Sequence, residues 1–220
     1  GLINTFISNK PQTAVLIGAS TRKIYTKKET VPPTARSFKD TALYYDRFNT
    51  GLLYNQQGIQ IHHKSKLVVG VEMMPYPQYM KFLEYISVDL GGTVGSLGTQ
   101  EKPSVFQHGE IIAAPVICYE SIFGEYVTQY IQQGANVIAI ITNDGWWGNT
   151  PGHKQHLQYA RLRALENRRC IARSANTGIS CFINQRGDIL KQTTWWTPDV
   201  IEANVQLNNQ QTFYTKNGDL

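Results

Sequence analysis

A layered α/β domain built on mixed sheets is the fold class this sequence predicts. Strand-like segments outnumber helical ones, and they occur both as hairpins and as strand–helix–strand units. The 220 residues suit one domain, and 41% hydrophobic against 17% charged residues allow a substantial core. No repeat and no interior linker divides the chain, so residues 1–220 read as a single unit.

In chain order, Ala14 to Ala19 (AVLIGA) is a buried strand ending in small residues. Thr21 to Asp40 is polar, carries Pro32-Pro33 and reads as a surface loop. Thr41 to Tyr54 holds a strand centred on LLY. The turn residues Asn55 to Gly58 then reverse the chain into a partner running from Ile59 to Val69. Tyr79 to Ser87 is a short helix candidate, and the glycine-rich Val88 to Pro103 is a loop. Ser104 to Glu110 leads into the most informative stretch, Ile111 to Asn149. There an apolar strand, Ile111 to Ile117, stops at Cys118-Tyr119-Glu120, and an amphipathic segment follows. A second apolar run, Val137 to Ile141, ends in the loop Asn143-Asp144-Gly145-Trp146-Trp147-Gly148. Gly152 to Arg169 is the clearest helix, with Leu157, Ala160 and Ala164 on one face. Cys170 to Ser174 is a strand, Ile179 to Leu190 a hairpin, and Val200 to Val205 a last strand before a polar tail.

The net charge of +5 is spread over scattered lysines and arginines, which fits a solvated surface rather than a nucleic-acid groove. Three cysteines at unrelated spacings make no disulfide framework and no zinc motif. His153 and His156 are three apart without a third ligand, and read as surface or loop-packing residues rather than a metal site. No cofactor is implied. No apolar run approaches the roughly 20 residues that span a bilayer.

Five places can carry chemistry. Cys118 follows a strand and precedes a helical segment, where the helix field lowers a thiol pKa; the alternative is a buried core cysteine. Lys64 ends the hairpin and can donate to an oxyanion, or be a solvated strand-end lysine. Glu72, eight residues on, stands in an apolar segment (VVGVEMMP), where a carboxylate is either paired or functional. Glu120 suits a first helical turn and has a structural reading as well. Trp146 and Trp147 either wall a cleft or pack as core.

Together these residues resemble the nitrilase (carbon–nitrogen hydrolase) superfamily, and within it the apolipoprotein N-acyltransferase branch. The resemblance rests on HHKSKLVVGVE (Lys64, Leu67, Val68, Glu72), on VICYESIF (Cys118-Tyr119-Glu120), on Asn143-Asp144-x-Trp146-x-Gly148, and on DRFNTGLLY, QHLQYARLRALENRR and IARSANTGIS. It extends from about Val15 to Asp219. It implies a four-layer α-β-β-α sandwich, incomplete at its N-terminal edge, belonging to a larger membrane protein. The implied catalytic residues are Cys118, Lys64 and Glu72. Tyr119, Glu120 and Trp146 are implied to serve the oxyanion or substrate.

The implied reaction moves a fatty acyl chain from a phospholipid, through a cysteine thioester, to the N-terminal diacylglyceryl-cysteine of apolipoproteins. The implied setting is the bacterial inner membrane, with the domain facing the periplasm and anchored by helices outside this sequence. One departure stands out. The family's first catalytic Glu lies in a Pro-Glu context before the segment that AVLIGAS resembles, and no Pro-Glu occurs here; Glu29 lies after that strand. The expectation is a piece lacking its general base, weak or inactive by itself. A soluble nitrilase-like amidase or carbamoylase, and a non-catalytic binding domain of the same fold, are the alternatives.

Overall fold

The computed structural model describes residues 1–26, 30–39, 41–73 and 96–219. The helix expected over Tyr79 to Ser87 and the first half of the loop expected over Val88 to Pro103 lie outside the described residues, as does Glu29.

A short helix, α1 (Leu2–Asn9), leads into the first sheet. That sheet is built round β3 (Tyr44–Asn55), which pairs antiparallel along its length with β1 (Val15–Tyr25). On its other side β3 pairs with β4 (Gly58–His63) and with the two-residue β2 (Arg36–Ser37). The β3–β4 turn is closed by the Asn55 side chain, which accepts from the Gln57 amide at 2.9 Å, and by Gly58 at φ +129°. The expected surface loop after Ala19 is corrected here. Thr21 to Tyr25 continue β1, in register with Phe48 to Tyr44. Their polar side chains disguise a strand that has one wet face.

The second sheet has six strands in the order β10-β9-β8-β7-β6-β5. They are β5 (Phe106–His108), β6 (Ile111–Ile117), β7 (Val137–Thr142), β8 (Ile171–Ala175), β9 (Cys181–Ile183) and β10 (Ile189–Gln192). Strands β6, β7 and β8 run parallel, and the outer pairs are antiparallel. The parallel links are crossovers through α2 (Gly124–Gln132) and α3 (Gly152–Asn167), which cover one face of the sheet. Tyr130 and Ile131 of α2, Leu157, Ala160 and Ala164 of α3, and Ile138, Ile140 and Ile171 of the sheet make the main core. The opposite face, with Ala113 and Val137, packs against Leu53 and Leu16 of the first sheet. The sheets approach closely at Gly18, where a Cβ would lie 2.8 Å from Ile141 Cγ2. With α1 against β3 on the side of the first sheet, the layers follow the α-β-β-α order.

Two further expectations change. Val200 to Val205 runs without ladder partners and is not a strand; Val205 and Leu207 instead pack their side chains against the inter-sheet core. The polar tail ends in α4 (Phe213–Asn217), capped by Thr212, whose hydroxyl accepts from the Thr215 amide at 3.0 Å. The fully buried Arg169 ties this tail down, donating to the carbonyls of Ala135, Asn167 and Gln210. Strand β4 stops at His63 rather than continuing to Val69, and that early stop shapes the site.

Candidate active site

A cavity of about 750 Å³ opens between the two sheets, with Cys118, Lys64, Glu72, Asn49, Trp146 and Asn176 on its wall. Each arrives by a local device.

Lys64 leaves the β4 ladder. Its amide still donates to the Asn49 carbonyl at 2.8 Å, and the chain then turns back on itself, with the Glu72 amide donating to the Val68 carbonyl at 2.9 Å. That turn brings Glu72 to Lys64. The ammonium, fully buried, donates to both Glu72 oxygens at 2.8 and 2.7 Å. The Val68 amide donates to Glu72 Oε2 at 2.8 Å, and the Asn49 side chain donates to Oε1. A buried ion pair persists when its remaining polar atoms are satisfied, and this carboxylate has four donors. Two of the three lysine N–H groups are used, so one remains to act towards the cavity among the described residues.

Cys118 closes β6 and is half-buried. A single 3₁₀ turn, Cys118–Ile122, follows it, and α2 starts only at Gly124. The expected seat at a helix N-terminus is therefore replaced by another device. Cys118 has φ +51°, a left-handed conformation uncommon for any residue with a Cβ, which turns the chain sharply at the thiol.

Glu120, read from sequence beside the oxyanion, faces away from the cavity. It is fully buried and accepts from the amides of Ser65 at 2.6 Å, Lys66 at 3.3 Å and Ile117 at 2.8 Å. One carboxylate thus fastens the lysine turn to the cysteine turn. The Tyr126 hydroxyl also donates to it at 3.2 Å, and burial together with the Glu120 charge pushes that phenol up. Tyr119 follows Cys118 directly and sets its ring edge against Phe123 at 5.4 Å between centroids. Trp146 lines the cavity, and both Trp146 and Trp147 are 40% exposed, so neither fills the core.

Cys170 and Cys181 lie at 3% and 1% exposure, away from this wall, and burial pushes the Cys181 thiol up to about 11. Among the described residues no group of His, Cys, Asp and Glu has the arrangement of a metal site. His156, read from sequence as a surface or loop-packing residue, is buried and hydrogen-bonded to Asp144 at 2.9 Å. Asn49, which clasps Glu72, had only the DRFNTG stretch to signal it, because its partner is brought in by tertiary packing.

Comparison with known proteins bears on the family and the fold. Residues 7–214 match the carbon-nitrogen hydrolase family. The chain is 37% identical over 183 residues to an apolipoprotein N-acyltransferase of Chlorobaculum tepidum, covering 80% of this chain and 34% of that protein. It is 32% identical to one of Pasteurella multocida, covering 78% of this chain and 32% of that protein. The chain thus spans about a third of the length of the curated relatives it matches. Among solved structures, Nit3 of Saccharomyces cerevisiae, a member of the nitrilase superfamily, superposes with a TM-score of 0.51 at 20% identity, over 70% of this chain and 51% of that one. An amidase of Nesterenkonia AN1 gives 0.50 at 17%, over 70% and 53%. At these identities the two structures bear on the fold alone.

Proposed function

The chain belongs to the carbon–nitrogen hydrolase family, and on that premise we propose that its cavity is the acyl-transfer centre of an apolipoprotein N-acyltransferase. The observation that carries the reading is the left-handed Cys118 on the same cavity wall as the buried Lys64–Glu72 pair. The curated relatives named as apolipoprotein N-acyltransferases supply the substrate class.

In this reading the Cys118 thiolate attacks the ester carbonyl of a phospholipid. The tetrahedral oxyanion is met by the remaining Lys64 N–H and by the backbone N–H of Tyr119. Collapse expels the lysophospholipid, whose oxygen takes up a proton, and leaves the acyl chain as a thioester on Cys118. The α-amine of a diacylglyceryl-cysteine then attacks the thioester, an amide forms and the thiol returns. Glu72 holds the ammonium in place. Trp146 lines the entrance for the acyl chain. The reading has the domain facing the periplasm at the bacterial inner membrane.

Glu72 is a poor candidate for the base that deprotonates Cys118. Among the described residues it is the one carboxylate on the cavity, and its oxygens already face four donors. In this reading that role falls to a carboxylate other than Glu72, and the family resemblance puts it in a Pro-Glu strand, a pairing this sequence does not contain.

The test is intact mass after incubation with phospholipid vesicles, on this chain and on a form extended upstream through a Pro-Glu strand. The expected result is a hydroxylamine-sensitive acyl adduct on Cys118 in the extended form, absent in Cys118→Ala and kept in Cys170→Ala and Cys181→Ala. An adduct that survives Cys118→Ala overturns the nucleophile. No adduct in either form, with hydrolysis of a small amide instead, overturns the transferase in favour of an amidase.

A further inference from the structure

A second buried cluster lies beneath the Cys118 turn, formed by three residues far apart in sequence. Asp144 follows β7, His156 is in α3 and Arg173 is on β8, at 0%, 5% and 3% exposure. Asp144 Oδ1 accepts from Thr142 Oγ1 at 2.9 Å and from His156 Nδ1 at 2.9 Å. Arg173 Nη2 donates to Asp144 Oδ2 at 2.6 Å, and Nη1 donates to the Ile179 carbonyl. On the other side of the imidazole, Nε2 stands 3.1 Å from the Cys118 carbonyl and 2.9 Å from Ser121 Oγ. Ser121 Oγ in turn donates to the same carbonyl at 2.9 Å.

Burial raises the Asp144 carboxyl, but the His156 hydrogen bond and the Arg173 charge outweigh it and hold it well below the usual carboxylate range. Asp144 is therefore an acceptor, and so is a peptide carbonyl. Asp144 thus stands as an acceptor at Nδ1, with Arg173 Nη2 3.3 Å from the same nitrogen, and the Cys118 carbonyl stands as an acceptor at Nε2. Across the cavity, the charged groups on the wall with Cys118 are Lys64 and Glu72.

The need for such a support comes from the backbone. A left-handed φ is strained for a residue with a Cβ, and such a residue persists only where its surroundings over-determine it. We propose that His156 is the positioning residue for Cys118: braced by Asp144 and Arg173, its Nε2–H and the Ser121 hydroxyl grip the Cys118 carbonyl and hold the left-handed turn that keeps the thiol on the cavity wall. The proposal deepens the acyl-transfer reading and rests on its choice of Cys118 as nucleophile.

The test is the rate of Cys118 alkylation by iodoacetamide at pH 7 in the 220-residue chain, read as the mass of the Cys118 peptide. Expected for His156→Ala is a rate roughly tenfold lower. His156→Gln, which can return an N–H to the carbonyl, recovers most of the rate. Ser121→Ala, which leaves the Asp144–His156–Arg173 chain whole, slows alkylation about threefold. A folded His156→Ala with a rate within about twofold of the parent overturns the proposal. If His156→Ala does not fold, an unchanged rate in Ser121→Ala overturns it. Because alkylation needs no acyl donor, the outcome stands apart from that of the phospholipid experiment.

Discussion

Lys64 is the residue on which the chemistry turns. A fully buried ammonium is costly unless paired, and here Glu72 satisfies it at 2.7 and 2.8 Å while leaving one donor for the cavity. Removing an oxyanion donor of this kind costs about 10²–10³ in rate. Lys64→Ala in the upstream-extended protein is therefore expected to lower thioester formation by at least about a hundredfold while the domain stays folded. Single-turnover mass spectrometry with circular dichroism checks both halves. Near-normal acylation in that variant would remove Lys64 from the oxyanion role. The eight-residue spacing of Lys64 and Glu72 was legible because an isolated carboxylate in an apolar run asks for a partner. The roles of Glu120 and His156 were not legible. Each side chain binds backbone groups from a different part of the chain, and no local pattern records such a partner.

At the scale of elements, β6, β7 and β8 announced themselves as short apolar runs because helices cover one face and the first sheet covers the other. Strand β1 runs on to Tyr25, beyond its apolar stretch, and its outer half carries polar residues over a solvated face. The register of β1 on β3 brings Gly18 opposite Gly51, and both face Ile141 across the sheet interface. The lack of a side chain at Gly18 lets β7 come close enough to form the cavity wall. Gly18→Val is expected to overpack this junction and cost about 1–3 kcal/mol. It should also slow alkylation of Cys118 by narrowing the cavity. A thermal midpoint and alkylation rate equal to the parent's would show that the sheets have room to spare there.

At the scale of the molecule, Asp144 links β7, α3 and β8 through Thr142, His156 and Arg173. Its pKa is depressed by folding, so its contribution is fully present above the unfolded value of 3.8 and is lost as pH falls through the lower folded value. Asp144→Asn is expected to cost about 3 kcal/mol at neutral pH, because it leaves Arg173 buried against a neutral group. The gap between parent and variant should hold above about pH 5 and shrink steadily below pH 4. Urea unfolding across that range measures it, and a gap independent of pH would mean that the carboxylate charge plays no part.

The sequence by itself determined the class of fold, the apolar strands and helices that build it, and the candidacy of Cys118, Lys64 and Glu72. Those depend on local patterns: periodicity, turn residues and the cost of stranding a charge among apolar neighbours. Only the tertiary structure decided that Cys118 sits in a left-handed turn rather than at a helix start. It alone showed that Glu120 fastens two turns from behind the cavity, and that a buried histidine holds the cysteine carbonyl. Those facts depend on which backbone groups folding leaves without partners, and such groups are found only once the sheets have packed.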